Sequence, residues 1–224
     1  VKLALVCVGG GRGARFGGDK LAEKIGDHTV LELSLGALER AFAEAPQFVV
    51  VPAVRLEDWR QRLESRFPRA ELVAGGPRRQ DSVRAGVERA SELGAEVVAI
   101  HDAARPLVDP RDVKGVVWAL GAAAGAVLCG RVNDTVKRID SSGFVCETID
   151  REDLRLAQTP QVFRISALFR AWAEDDGHHQ WTDEAALLES VGMPVRSVVA
   201  QHPNPKLTTE GDLRVMRALL RGKG

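Results

Sequence analysis

Short apolar runs alternate with amphipathic stretches along most of the chain. Leu3–Val8 is a continuous apolar run bounded by glycine and reads as a buried strand. Val30, Leu31, Leu35, Leu38 and Phe42 recur at helical spacing and predict a helix over 30–42. The same reading predicts strands at 48–52, 71–74, 97–101 and 126–131, with helices at 56–67, 82–93 and 110–120 between them. Gly94 is the expected stop of the third helix, and Asp109 with Pro110 the expected start of the fourth. Strand–helix alternation of this kind predicts an α/β fold in three layers: a mainly parallel, twisted sheet with helices on both faces.

Beyond Arg131 the rhythm changes. Residues 135–139 and 144–149 are β-rich and flank Asp140-Ser141-Ser142-Gly143, a hairpin turn. Little apolar bulk accompanies them, and an isolated hairpin is marginal in water. The segment 132–159 is therefore read as a β-arm inserted in a single domain over 1–224, leaning on a partner subunit. Helices at 166–174 and 183–191, a strand at 195–199 and a final helix near 211–220 complete the pattern.

Composition narrows the function. Thirty-one basic and 31 acidic residues cancel, so no overall field recruits nucleic acid or a membrane surface. No apolar run approaches the ~18 residues of a membrane span, and Leu3–Val8 is too short for a secretory leader. The three cysteines Cys7, Cys129 and Cys146 are odd in number and lack metal-ligand spacing, which points to a reducing, cytoplasmic compartment. His178 and His179 read as part of a solvated loop anchored by Trp181, and the Arg-rich stretch 55–69 as the wet face of a helix.

An open parallel sheet presents ligands outside the carboxyl ends of its strands, so the loops after Val8, Val73 and Ile100 are where chemistry belongs. The first is Gly9-Gly10-Gly11-Arg12-Gly13-Ala14-Arg15-Phe16-Gly17-Gly18-Asp19-Lys20. Glycines let backbone amides approach a polyphosphate, and the cations balance its charge. A Walker A loop fails because Leu follows Lys20 where Ser or Thr is needed. A dinucleotide fingerprint is met nominally by Gly9, Gly11 and Ala14, but the second strand ends in Pro52-Ala53 without an acid. A nucleotidyltransferase loop with a downstream Lys fits best. The third loop, His101-Asp102-Ala103-Ala104-Arg105-Pro106, sets a carboxylate where Mg²⁺ can be held with phosphate oxygens, and Arg105 within reach of Asp102 or of substrate. His101 reads as a buried hydrogen-bonding side chain.

Together these loops resemble the 2-C-methyl-D-erythritol 4-phosphate cytidylyltransferase family of the non-mevalonate isoprenoid pathway. Asp102-Ala103-Ala104-Arg105-Pro106 is the most specific marker. Gly75-Gly76 with Arg79 and Asp81-Ser82-Val83, Asp134–Arg138, Asp150-Arg151, Thr159-Pro160-Gln161, Thr182–Ala185 and Asn204–Thr208 follow in order. The resemblance implies that Gly10, Gly11 and Gly13 line the phosphates of CTP, and that Arg15 and Lys20 stabilise the transition state at its α-phosphorus. Gly76, Pro77, Ser82 and Ala103 would face the nucleoside, and Asp102 would hold Mg²⁺ or another divalent cation. Arg151 and Lys206 would position the methylerythritol phosphate with Asp102, Arg105, Thr135 and Thr182, and Thr135 and Arg151 would act in the neighbouring subunit of a homodimer. Gly9-Gly10-Gly11 replaces the usual Ala-Ala-Gly, the stretch from Arg15 to Lys20 is shorter than is common, and Pro203 stands where an Asp is often found. Ribitol 5-phosphate is the alternative acceptor, and a non-catalytic nucleotide-binding protein the alternative class.

Overall fold

The computed structural model describes residues 2–9, 16, 18–177 and 179–221. β1 (Leu3–Val8) leads through β2 (Lys24–Ile25) and β3 (His28–Thr29), a minimal hairpin, into α1 (Val30–Ala41). Thr29 and Glu32 close a capping box at the start of α1: Glu32 N donates to Thr29 Oγ1 over 3.2 Å, and Thr29 N to Glu32 Oε2 over 2.6 Å. β4 (Gln47–Pro52), α2 (Leu56–Leu63), β5 (Ala70–Gly75), α3 (Arg79–Glu92), β6 (Val97–Asp102), α4 (Pro110–Ala119) and β7 (Gly125–Arg131) follow. α2 stops four residues before its expected end. Pro68 disfavours helical geometry at Phe67, whose N–H closes a last turn on Leu63 O. Asp109 caps α4 as expected, accepting from Arg111 N at 2.8 Å.

After β7 come β8 (Val136–Ile139), β9 (Val145–Ile149), β10 (Arg155–Arg164), α5 (Ile165–Glu174), α6 (Glu184–Ser190), β11 (Val195–Val199) and α7 (Glu210–Arg221). The main sheet has seven strands in the order β11-β7-β10-β6-β1-β4-β5. Only β10 runs antiparallel to its neighbours, so the sheet is mainly parallel as expected. β10 escapes the periodicity reading because polar residues and Pro160 interrupt it. Pro160 lies where the ladder with β7 shifts register, between Ala157 and Gln161, and so removes no needed hydrogen bond.

Both faces of the central sheet are buried, which is why β1, β4, β6 and β7 read as apolar runs. Leu5 and Cys7 face a core shared with α1, α2, α4 and α7, whereas Ala4, Val6 and Val8 face one shared with α3, α5 and α6. β8 and β9 form a separate antiparallel pair, exposed along nearly its whole length. The paired strands of the arm span 136–149. The end of the expected insertion, 155–159, belongs to β10 and to the main sheet.

Candidate functional site

Parallel pairing aligns the ends of β1 and β6 so that Val8 lies opposite Asp102. The turn that follows is held from three sides. Ala103 N donates to Val8 O over 3.0 Å, Ser34 Oγ on α1 donates to Ala103 O over 2.8 Å, and Leu207 N donates to Ala104 O over 2.7 Å. The last contact lays the segment 204–207 across the turn and brings Lys206 to Asp102, 104 residues away in sequence.

Here the carboxyl ends of β1 and β6 open onto a cleft lined by Val8, Gly9, Lys20, Leu21, Arg79, Asp102, Ala104 and Lys206. Lys20 and Asp102 thus share one cavity. Lys20 Nζ donates to Leu207 O at 3.2 Å, which ties Lys20 to the same segment that carries Lys206.

Asp102 is the electrostatic centre. Its Oδ2 accepts from Lys206 Nζ at 2.6 Å and its Oδ1 from Arg79 Nε at 3.2 Å. Burial alone would push this carboxyl upward. The positive charges of Arg79, Lys206 and Arg105 outweigh that and hold it far below the usual carboxylate range. Arg105 Nε stands 3.9 Å from Asp102 Oδ2, beyond hydrogen-bond reach, and its Nη1 donates to Asn204 O at 2.7 Å. Among the described residues, Arg79 and Lys206 therefore hydrogen-bond the Asp102 carboxylate, while Arg105 stays at ion-pair distance.

His101 is fully buried and serves as the hydrogen-bonding side chain expected of it. Its Nε2 lies 3.1 Å from the Arg105 carbonyl, which only accepts, so Nε2 carries the proton. Nδ1 then accepts from Thr159 Oγ1 at 3.1 Å, and the same hydroxyl accepts from Asp102 N at 3.0 Å. Burial drives the imidazole pKa down to about 4, so His101 is neutral at pH 7.

The second expected loop is shaped by close approach. A Cβ on Gly76 would come within 2.4 Å of Asp81 Cβ, so only glycine lets the turn after β5 fold onto the start of α3. Ser82 is wholly buried beneath that turn, with its hydroxyl 3.3 Å from Gly76 O and 3.2 Å from Arg78 O. Pro77 is exposed at the tip of the turn, and Ala103 is completely buried.

Other expected site residues lie elsewhere. Thr135 and Arg151 are exposed at the foot of the arm, where the Arg151 guanidinium donates to Asn133 O. Thr182 is exposed just before α6. Gly10, Gly11, Gly13, Arg15 and His178 lie outside the described residues. His179 stacks on Trp181 with ring centroids 4.4 Å apart. Among the described residues, no group of three or more His, Cys, Asp and Glu side chains could hold a metal ion.

The sequence reading assigned no role to Arg79, Glu184, Asn204 or Gln161. Arg79 appears in the first turn of α3 because that helix begins three residues before its apolar periodicity does. Its Nη1 contacts both oxygens of the buried Glu184, at 2.9 and 3.0 Å. Asn204 Nδ2 donates to Thr159 O at 2.8 Å, and Gln161 Nε2 to Asp183 Oδ2 at 2.8 Å. Their only signal in the sequence was membership of the ordered motifs.

Three relatives place this cleft in context. A bifunctional enzyme IspD/IspF of Rhodospirillum rubrum is 38% identical over 229 residues, covering 100% of this chain and 58% of that protein. The chain spans little more than half the length of the bifunctional relatives it matches. The 2-C-methyl-D-erythritol 4-phosphate cytidylyltransferase of Pelotomaculum thermopropionicum is 35% identical over 229 residues, covering 99% of this chain and 95% of that one. The crystal structure of the enzyme of that name from Thermus thermophilus superposes with a TM-score of 0.77 at 28% identity, covering 99% of this chain and 100% of the other. The sequence pattern of the family described as IspD: 2-C-methyl-D-erythritol 4-phosphate cytidylyltransferase matches residues 1–222. By that match and by its resemblance over full length to the Pelotomaculum enzyme, the chain belongs to the 2-C-methyl-D-erythritol 4-phosphate cytidylyltransferase family.

Proposed function

We propose that the chain is a cytidylyltransferase joining CTP and 2-C-methyl-D-erythritol 4-phosphate to give 4-diphosphocytidyl-2-C-methyl-D-erythritol and pyrophosphate. The observation that carries this reading is the convergence of Lys20, Arg79, Asp102 and Lys206 on one cleft at the carboxyl ends of β1 and β6, in a chain of this family. An oxygen of the acceptor's phosphate attacks the α-phosphorus of CTP in line with the departing group. One P–O bond forms, the bond from the α-phosphorus to the bridging oxygen of the β-phosphate breaks, and pyrophosphate leaves with the electron pair.

A phosphate monoester carries about 1.5 to 2 negative charges at pH 7 and is its own nucleophile, so the site needs no general base. What it must supply is alignment of two anions and countercharge for them. Lys20 and Lys206 both line the cleft and are the residues assigned to that task. Lys206 is more than one-third exposed, so its ammonium is accessible to an incoming phosphate. Arg15, Gly10, Gly11 and Gly13 are assigned to the triphosphate on the family pattern, as Gly76, Pro77, Ser82 and Ala103 are to the nucleoside.

Asp102 also suits a divalent cation. It is ionised, and among the described residues each oxygen has spent one lone pair on a cation and keeps another. A single carboxylate matches Mg²⁺, which takes most of its ligands from substrate phosphates and water. When bound, Mg²⁺ neutralises triphosphate oxygens as a Lewis acid.

Thr135 and Arg151 then act across a homodimer built through the β8–β9 arm, at whose foot both lie. The arm exposes Ile139, Phe144 and Val145, each more than half accessible, as a partner-facing surface requires. Pyrophosphate release measured with CTP, Mg²⁺ and methylerythritol phosphate tests the assignment, with UTP, ATP and ribitol 5-phosphate as controls. Equal rates with ribitol 5-phosphate, or CTP binding with no turnover on either acceptor, would overturn it.

A further inference from the structure

The guanidinium of Arg79 stands between two carboxylates. Nη1 reaches both oxygens of Glu184, and Nε reaches Asp102 Oδ1. An arginine that merely neutralised Glu184 would present its Nε/Nη fork to that carboxylate. Here the fork is split, and the Nε edge is spent on the cleft.

Glu184 is only 3% exposed and opens α6, where it is held by its neighbours. Asp183 caps the helix by accepting from Ala186 N at 2.9 Å, and the other oxygen of Asp183 accepts from Gln161 on β10. β10 pairs with β6, with Gln161 opposite Ile100. The start of α6, the start of α3 and the end of β6 are thereby tied into one frame around Arg79.

Charge explains why a second acid is needed. Three cations, Arg79, Arg105 and Lys206, act on Asp102. Burial outweighs the pull of Arg79 and raises the carboxyl of Glu184, while the contacts of Nη1 to both oxygens, at 3.0 and 2.9 Å, have the geometry of an ion pair. With Glu184 in place, the charge of Arg79 is shared between two anions.

We propose that Glu184 is a positioning residue that acts through Arg79 to set the orientation of the Asp102 carboxylate in the cleft. The inference rests on the nucleotidyl-transfer reading above for its effect on rate, but not for its effect on Arg79.

The test compares wild type with Glu184→Gln and Glu184→Asp by thermal unfolding, steady-state pyrophosphate release and the ¹⁵N-resolved Nε–H resonance of Arg79. Glu184→Gln is expected to lower kcat at least about tenfold with KM for CTP within about threefold, because misaligned groups cost rate more than binding. Glu184→Asp restores the charge and recovers part of the loss. The Arg79 Nε–H resonance shifts or broadens in Glu184→Gln. A folded Glu184→Gln protein with kcat within threefold of wild type, or with an unchanged Arg79 resonance, overturns the proposal. So does a loss confined to the melting temperature. If Glu184→Gln does not fold, Glu184→Asp decides on the same two readouts. If wild type itself releases no pyrophosphate, the functional reading fails, and the Arg79 resonance alone sustains or overturns the positioning role.

Discussion

Acidification should destabilise this protein through His101. The imidazole is fully buried, donates from Nε2 to Arg105 O and accepts at Nδ1 from Thr159. Burial lowers its pKa from 6.5 to about 4, and the contact to Arg105 O and the charge of Asp102 offset only part of that drop. As pH falls, the unfolded chain takes up this proton near 6.5 and the native protein only near 4. Between those values the unfolded state binds more protons, so stability falls with falling pH and levels off below about 4. The whole drop from 6.5 to about 4 corresponds to about 3 kcal/mol, of which about 2 kcal/mol is lost between pH 7 and pH 4.5. Urea unfolding of wild type and His101→Gln at both pH values, in chelating buffer, isolates this contribution because all other titrating groups are common to both. Gln preserves a donor toward Arg105 O but does not titrate. Wild type should lose about 2 kcal/mol more than the variant over this interval. Equal losses would refute the reasoning and show that the native protein admits the His101 proton freely.

Lys20→Ala and Lys206→Ala should each lower turnover on the order of 10²–10³ at saturating CTP and Mg²⁺, read as pyrophosphate release; near-native turnover in either removes that residue from the mechanism. Gly86→Ala should destabilise by about 1–3 kcal/mol in thermal or urea unfolding. Its Cβ would lie 2.6 Å from Val6 Cγ1 and 2.8 Å from Val50 Cγ2, so α3 must lift from the sheet. Phe144→Ser combined with Val145→Thr should halve the sedimenting mass while leaving the helical circular dichroism unchanged. A mass insensitive to these changes would remove the arm as a subunit contact.

How legible the site was depended on the kind of residue. Asp102 could be found because it ends an apolar strand, and Lys20 because it closes a glycine-rich turn; both signals are local. Ser82 was legible as part of a motif, but not as a side chain buried against the carbonyls of Gly76 and Arg78. Arg79 and Glu184 gave no local signal, since a charged residue in a first helical turn reads as a solvated one. β10 was hidden because a strand held between two neighbours needs no alternation of its own, and Pro160 argues against one.

Polarity along the chain was enough to specify the alternation of strands and helices, the two buried faces of the sheet, the capped start of α4 and the turn of the arm. Each follows from side-chain polarity at period 2 or 3.6, or from the backbone limits of Pro and Gly within a few residues. It took the packed chain to bring Lys206 and Arg79 to the two oxygens of Asp102, to make His101 neutral, and to set Glu184 behind Arg79. Those outcomes depend on distances between residues 23 to 105 positions apart and on how much water is excluded around them. Charge and burial act through space, and one-dimensional spacing carries no measure of either.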